Sequence, residues 1–91
     1  MINLEVNGIR FRTDYPLKAF AFTTAVEFYD LNEDQALQVA DLSYRIYTET
    51  LYEVHPIHLI DQICENIDDY LSLEFLEVME HALQAIAEYD L

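Results

Sequence analysis

Ile2-Asn3-Leu4-Glu5-Val6-Asn7-Gly8-Ile9-Arg10-Phe11-Arg12 is the stretch on which the fold turns. Apolar and polar residues alternate on both sides of Asn7-Gly8. A period of two sends successive side chains to opposite faces of a strand. Asn-Gly is the preferred pair for a type I′ turn, because both of its central residues take positive φ. The pattern predicts a hairpin over about residues 2–13, with Val6 opposite Ile9 and Leu4 opposite Phe11. Ile2 joins that apolar face. Asn3, Glu5, Arg10 and Arg12 take the other, where Glu5 meets Arg10 as an opposite-charge pair. A lone hairpin is marginal in water, so its apolar face must pack on the remainder of the chain.

That remainder reads as helix. One Gly and two Pro in 91 residues leave little material for loops. Pro16 suits the first turn of a helix, where its missing N–H costs nothing, and helix one is predicted over about 16–29. Leu17, Phe20, Ala21, Phe22, Ala25, Val26, Phe28 and Tyr29 carry apolar character most of the way around it, which predicts a central helix. Asn32 with Gln35 forms a capping-box pattern, and Leu31 with Ala36 a hydrophobic staple. Helix two is predicted over about 33–53, burying Ala36, Val39, Ala40, Ser43, Tyr47, Thr50, Leu51 and Val54. Leu42 and Ile46 fall off that stripe. His55-Pro56 interrupts the helix and Pro56 opens helix three, over about 57–71, with Ile57, Ile60, Ile63, Cys64, Ile67 and Leu71 facing in. Ser72 is placed to cap helix four, over about 73–89, with Leu76, Met79, Leu83 and Ile86 facing in. The expected fold class is α+β but mainly helical: a single domain, residues 1–91, with the hairpin packed on about four helices.

Charge is distributed unevenly. The net charge is −14, from 4 basic and 18 acidic residues. Residues 1–18 set Arg10, Arg12 and Lys18 against Glu5 and Asp14. Beyond them Arg45 is the one basic residue against sixteen acids. Such a surface repels nucleic acid and anionic membrane and attracts basic protein surfaces. No stretch carries 18 consecutive apolar residues, and the start of the chain lacks a basic segment followed by an apolar run, so the expectation is a cytosolic protein with neither membrane span nor secretion signal.

Chemistry-bearing patterns are few. His55-x-x-His58 suggests metal, but zinc takes three or four good ligands, and His55 precedes a proline outside the helix. No metal or cofactor is expected. Cys64 falls on an apolar stripe and reads as a small core residue. A single glycine excludes a glycine-rich phosphate loop. No nucleophile with a base, and no paired carboxylates in a cleft, can be assembled. An enzyme is not expected.

Acid rows are what remains. Asp61, Glu65, Asp68 and Asp69 recur along helix three, and Glu74, Glu77 and Glu80 along helix four. Side chains at i, i+3 and i+4 lie about 5–6 Å apart on a helix, close to the spacing of successive phosphates along one strand of DNA. Solvated helix faces ordinarily mix signs, because like charges at i,i+4 destabilise. The expected function is non-enzymatic: these seven carboxylates engage the basic surface of a protein, as a nucleic-acid mimic inhibiting a DNA- or RNA-binding enzyme. The alternative is a small assembly adaptor or chaperone of viral type. It would act through an apolar helix face at Leu42, Ile46 and Tyr52 and through the hairpin edge, with a homodimer as one outcome.

Overall fold

A computed structural model describes residues 1–89. Strands β1 (Ile2–Val6) and β2 (Ile9–Thr13) pair antiparallel, with Val6 opposite Ile9, Leu4 opposite Phe11 and Glu5 opposite Arg10. Asn7 and Gly8 both take positive φ, at 50° and 82°, as a type I′ turn requires. Both strands bury the predicted face. Phe11 lies flat on Phe22, ring centroids 4.4 Å apart and planes 8° from parallel, which docks the hairpin on the first helix.

That helix, α1, covers Pro16–Glu27 and packs against both strands, α2 (Glu33–Glu49) and α3 (Pro56–Glu65). Ala21, Phe22, Ala25 and Val26 are its buried side. It is less enclosed than its composition implies, because Phe20 is 50% exposed and Phe28, just past its end, is 79% exposed. The strands, α2 and α3 leave the side of α1 that bears Phe20 open.

The N-terminus of α2 is capped as the sequence suggests. Asn32 Oδ1 accepts from the Gln35 N–H at 2.9 Å, and Gln35 Oε1 accepts from the Asn32 N–H at 3.0 Å. Its interior differs from expectation in one respect. Ile46 is wholly buried and Leu42 nearly so, alongside Ala36, Val39, Ala40 and Ser43. Because α2 packs against α1 on one side and against α3 and the short helix α4 (Ile67–Tyr70) on another, its apolar arc is wide and takes in both residues. They belong to the core and are not a free face; of the trio Leu42, Ile46 and Tyr52, only Tyr52 is exposed.

The end of α2 also differs. It stops at Glu49 rather than near Glu53, with Thr50 as its cap. The Leu51 N–H donates to the Thr48 carbonyl and the Tyr52 N–H to the Tyr47 carbonyl, the paired bonds of a Schellman motif. Leu51 and Tyr52 both carry positive φ, 54° and 65°, so Leu51 faces solvent instead of joining the buried stripe.

The predicted third helix is two helices. Asn66 sits between α3 and α4 with φ −123° and ψ 18°, and its Nδ2 donates to the Gln62 carbonyl at 2.9 Å. A side chain that bonds the i−4 carbonyl competes with the helical ladder, and the helix breaks there. Ile60, Ile63, Cys64 and Ile67 are buried as predicted; Ile57 and Leu71, at the two ends, are half exposed.

The last helix, α5 (Phe75–Tyr89), packs on α3. Ser72 does not cap it; the Ser72 hydroxyl donates to the Asp69 carbonyl at 2.7 Å. Val78, Ala82 and Ile86 are buried, with Phe75, Met79 and Leu83 beside them, whereas Leu76 is exposed. Three of the four residues predicted to face in, Met79, Leu83 and Ile86, do so, and the centre of the stripe is turned by roughly half a residue, ~50°, toward Val78 and Ala82 and away from Leu76. Two contacts across the molecule set that rotation. The Arg45 guanidinium lies over the Phe75 ring at 3.8 Å, and Tyr70 Oη meets His81 Nδ1 at 2.8 Å.

Candidate acidic interface

The carboxylates singled out in the sequence fall into two groups. Asp61 and Glu65 stand on α3 and line a cleft of about 170 Å³ with His58, Gln62, Ala85 and Ile86, between α3 and α5. Glu65 also lines a shallower concavity with Asp68 and Asp69, floored by Cys64 and Ile67 and closed by Tyr29 and Leu31. Glu65 therefore links the two hollows, and the four acids form one continuous ridge despite the break at Asn66. Glu74 precedes α5, and Glu77 and Glu80 lie on it; all three are exposed and none lines either hollow.

Two members of the ridge are tied to distant parts of the chain. Tyr29 Oη donates to Asp61 Oδ1 at 3.0 Å, and Gln35 Nε2 donates to Asp68 Oδ1 at 2.8 Å. These bonds fix the ridge against the ends of the α1–α2 connection. Gln62 Nε2 donates to Tyr70 Oη at 3.0 Å, and Tyr70 Oη meets His81 Nδ1. This chain of bonds runs from α3 through α4 to α5 and holds one wall of the cleft.

The negative field of the ridge is felt by its neighbours. Burial raises the pKa of Tyr29 well above the ordinary tyrosine value, and the hydrogen bond and charge of Asp61 add to it. Burial, with the Asp61 and Glu65 charges behind it, pushes the Cys64 thiol from 9.0 up to about 12. A neutral buried thiol is a poor nucleophile.

Cations do not answer the ridge. Among the described residues the ion pairs made by Lys, Arg and the amino terminus are Met1 amino to Asp14 at 3.6 Å and Lys18 to Asp41 at 3.8 Å. Lys18 also faces the rings of Tyr15 and Tyr44, which stack on each other. Arg45, the one basic residue beyond Lys18, is spent on the Phe75 ring. Among the described residues no Lys or Arg forms an ion pair with Asp61, Glu65, Asp68, Asp69, Glu74, Glu77 or Glu80.

His55 and His58 stack with centroids 4.4 Å apart. Among the described residues no group of three or more His, Cys, Asp or Glu is arranged to hold a metal ion, and no helix is long and apolar enough to cross a membrane.

The sequence reading missed one surface. Phe20 and Thr24 of α1, with Phe28 and Tyr29 just beyond it, face Ile57, Ile60 and Asp61 of α3 across a groove of about 470 Å³. The available signal was the surplus of apolar positions on helix one, more than one buried face can hold. Asp61 lines this groove as well as the α3–α5 cleft, so groove and ridge share a wall. No known protein family, curated protein or solved structure matches the chain.

Proposed function

We propose that this chain is a non-enzymatic binding protein whose acidic ridge engages a basic protein surface, acting as a nucleic-acid mimic toward a DNA- or RNA-binding enzyme such as one of host defence. The observation that carries this reading is the row of carboxylates without cations. Like charges in rows on helices destabilise the free protein. Arg and Lys on a partner would reverse that cost through charge-assisted, bidentate hydrogen bonds. The ridge is also held in place, by Tyr29 and Gln35, so less ordering is needed on binding. A buried, neutral Cys64 is in keeping with a role other than catalysis.

The test begins with capture of a partner by the full chain and continues with that complex. Mimicry requires that affinity fall about tenfold or more between 50 and 300 mM salt, because surface charge interactions are screened. It also requires that duplex DNA or RNA displace the protein from its partner. Reversing Glu65→Lys with Asp69→Lys, two exposed positions outside the bonds that Tyr29 and Gln35 make to the ridge, should abolish binding. A partner that binds no nucleic acid, or an affinity indifferent to salt, rules the reading out.

A further inference from the structure

We infer that the groove between α1 and α3 is the seat of a cationic amphipathic helix from the partner, so that the contact is anchored by apolar side chains and only flanked by charge. This rests on the acidic-interface reading and narrows the partner it implies. Three large apolar side chains stand open around one concavity: Phe28 at 79% exposure, Phe20 at 50% and Ile57 at 48%. An exposed apolar cluster in a hollow marks a binding surface more often than scattered single residues do.

Dimensions favour a helix as the occupant. Phe20 to Phe28 spans about 12 Å along the α1 axis at 1.5 Å per residue. Two turns of a guest helix, with anchors at i, i+3 or i+4, and i+7, cover the same length. Charge decides the guest's flanks. Asp61 forms part of the α3 wall. Glu27 is exposed and lies seven residues from Phe20, only ~20° away around the helix. The wall at Asp61 then continues into Glu65. A second copy of this chain would bring the same acids to the same rim, at a net charge of −14 on each molecule. An apolar guest carrying Lys or Arg on both flanks meets Asp61 and Glu27 instead.

Four labelled 14-residue peptides test this with the full chain by fluorescence anisotropy. Two carry leucines at helical spacing and two carry the same leucines scrambled; one of each pair bears Lys and Arg, the other Gln and Ser. The helically spaced cationic peptide should bind about tenfold or more tightly than each of the other three, an effect of the size single interface anchors have. Phe28→Ser should remove that advantage while the unfolding midpoint stays within a few degrees, since that ring is largely solvent-facing; Phe20→Ser with Phe28→Ser should remove it too, at a lower midpoint, since Phe20 is half buried. Equal binding of scrambled and helical cationic peptides, unmoved by the Phe variants, would overturn the groove and leave the acidic ridge intact. Equal binding of the neutral and cationic helical peptides would overturn the cationic occupant and the acidic reading together. A dimer in sedimentation that the Phe variants dissociate would assign the groove to a second copy and overturn the proposal.

Discussion

Cys64 illustrates how far single positions could be read in advance. Its place on the Ile60, Ile63, Ile67 stripe marked it as core, and it is buried. The thiolate is the reactive form of cysteine, and with the pKa pushed from 9.0 to about 12 its population at pH 8 falls about a thousandfold. A maleimide or disulfide reagent at pH 8 should therefore label the native protein orders of magnitude more slowly than the protein in guanidinium. Fast native labelling would mean that the thiol is accessible. The same shift has a consequence for stability. A folded-state pKa above the unfolded value gives a contribution that is present below about pH 9 and lost as the pH rises toward 12. Tyr29 and Tyr70 are shifted in the same direction, mainly by burial. The unfolding midpoint should fall above pH 9, and Cys64→Ala should flatten the earliest part of that fall. Ser43 was legible as buried too, but the state of its hydroxyl was not. It is fully buried and its Oγ lacks a hydrogen-bond partner. Leaving a buried polar group unpaired costs about 1–3 kcal/mol, and Ala also favours a helix interior. Ser43→Ala should stabilise the protein by about 1 kcal/mol in urea unfolding, where a loss of stability would mean that the hydroxyl is satisfied.

Elements were legible where several local signals coincide. The hairpin has alternation, an Asn-Gly turn and a Glu5–Arg10 pair all requiring the same register, and its register is as predicted. The start of α2 has a cap, a reciprocal Gln and first-turn acids. The ends of α2 and α3 carry weaker signals. A helix that closes in a Schellman motif ordinarily has Gly at the left-handed position; here Leu51 occupies it, and nothing in the residue type announces a stop. Asn66 breaks α3 through a bond to a carbonyl four residues back, an option any mid-helix Asn has and few take. The rotation of α5 depends on Arg45 and Tyr70, 30 and 11 residues away from Phe75 and His81. Leu51 provides the test at this scale. Left-handed geometry costs an L-residue about 1–2 kcal/mol, glycine avoids that penalty at some entropic cost in the unfolded chain, and Leu51 at 75% exposure has little packing to lose. Leu51→Gly should raise the unfolding free energy by about 1 kcal/mol, and Leu51→Val, β-branched at positive φ, should lower it. The opposite order in chemical denaturation would show that the Leu51 side chain, and not the backbone, holds the turn.

At the scale of the whole molecule, the total charge and its concentration beyond Lys18 were plain in the residue order. Which carboxylates are free for a partner was not. The bonds that hold Asp61 and Asp68 link residues 32 and 33 positions apart, and no local pattern encodes a pairing at that distance. The groove was hidden for a related reason: whether Phe20 and Phe28 are buried depends on how many neighbours surround α1, which is a property of the packing. The balance of charge leads to a quantitative expectation that needs no partner. With a net charge of −14, and with Lys18 and the amino terminus the cations in ion pairs at Asp41 and Asp14, mutual repulsion of the acids opposes the compact state. The radius of gyration is 12.4 Å. The screening length is about 30 Å at 0.01 M salt and about 3 Å at 1 M, so repulsion spans the molecule at the lower concentration and is local at the higher. The unfolding midpoint should therefore rise between 0.01 and 1 M NaCl, by about 4–8 °C for each kcal/mol of repulsion removed. Sulfate is the wrong salt for this purpose, since its exclusion from protein surfaces stabilises folded proteins by itself. Substitution separates the two effects. Glu80→Gln with Glu88→Gln, in the middle and last turn of α5 and so clear of its positive end, should raise the midpoint at 0.01 M and shrink the response to NaCl. If the variant melts lower than the parent at low salt, those carboxylates stabilise the fold, and the premise that acid rows are kept at a cost is wrong.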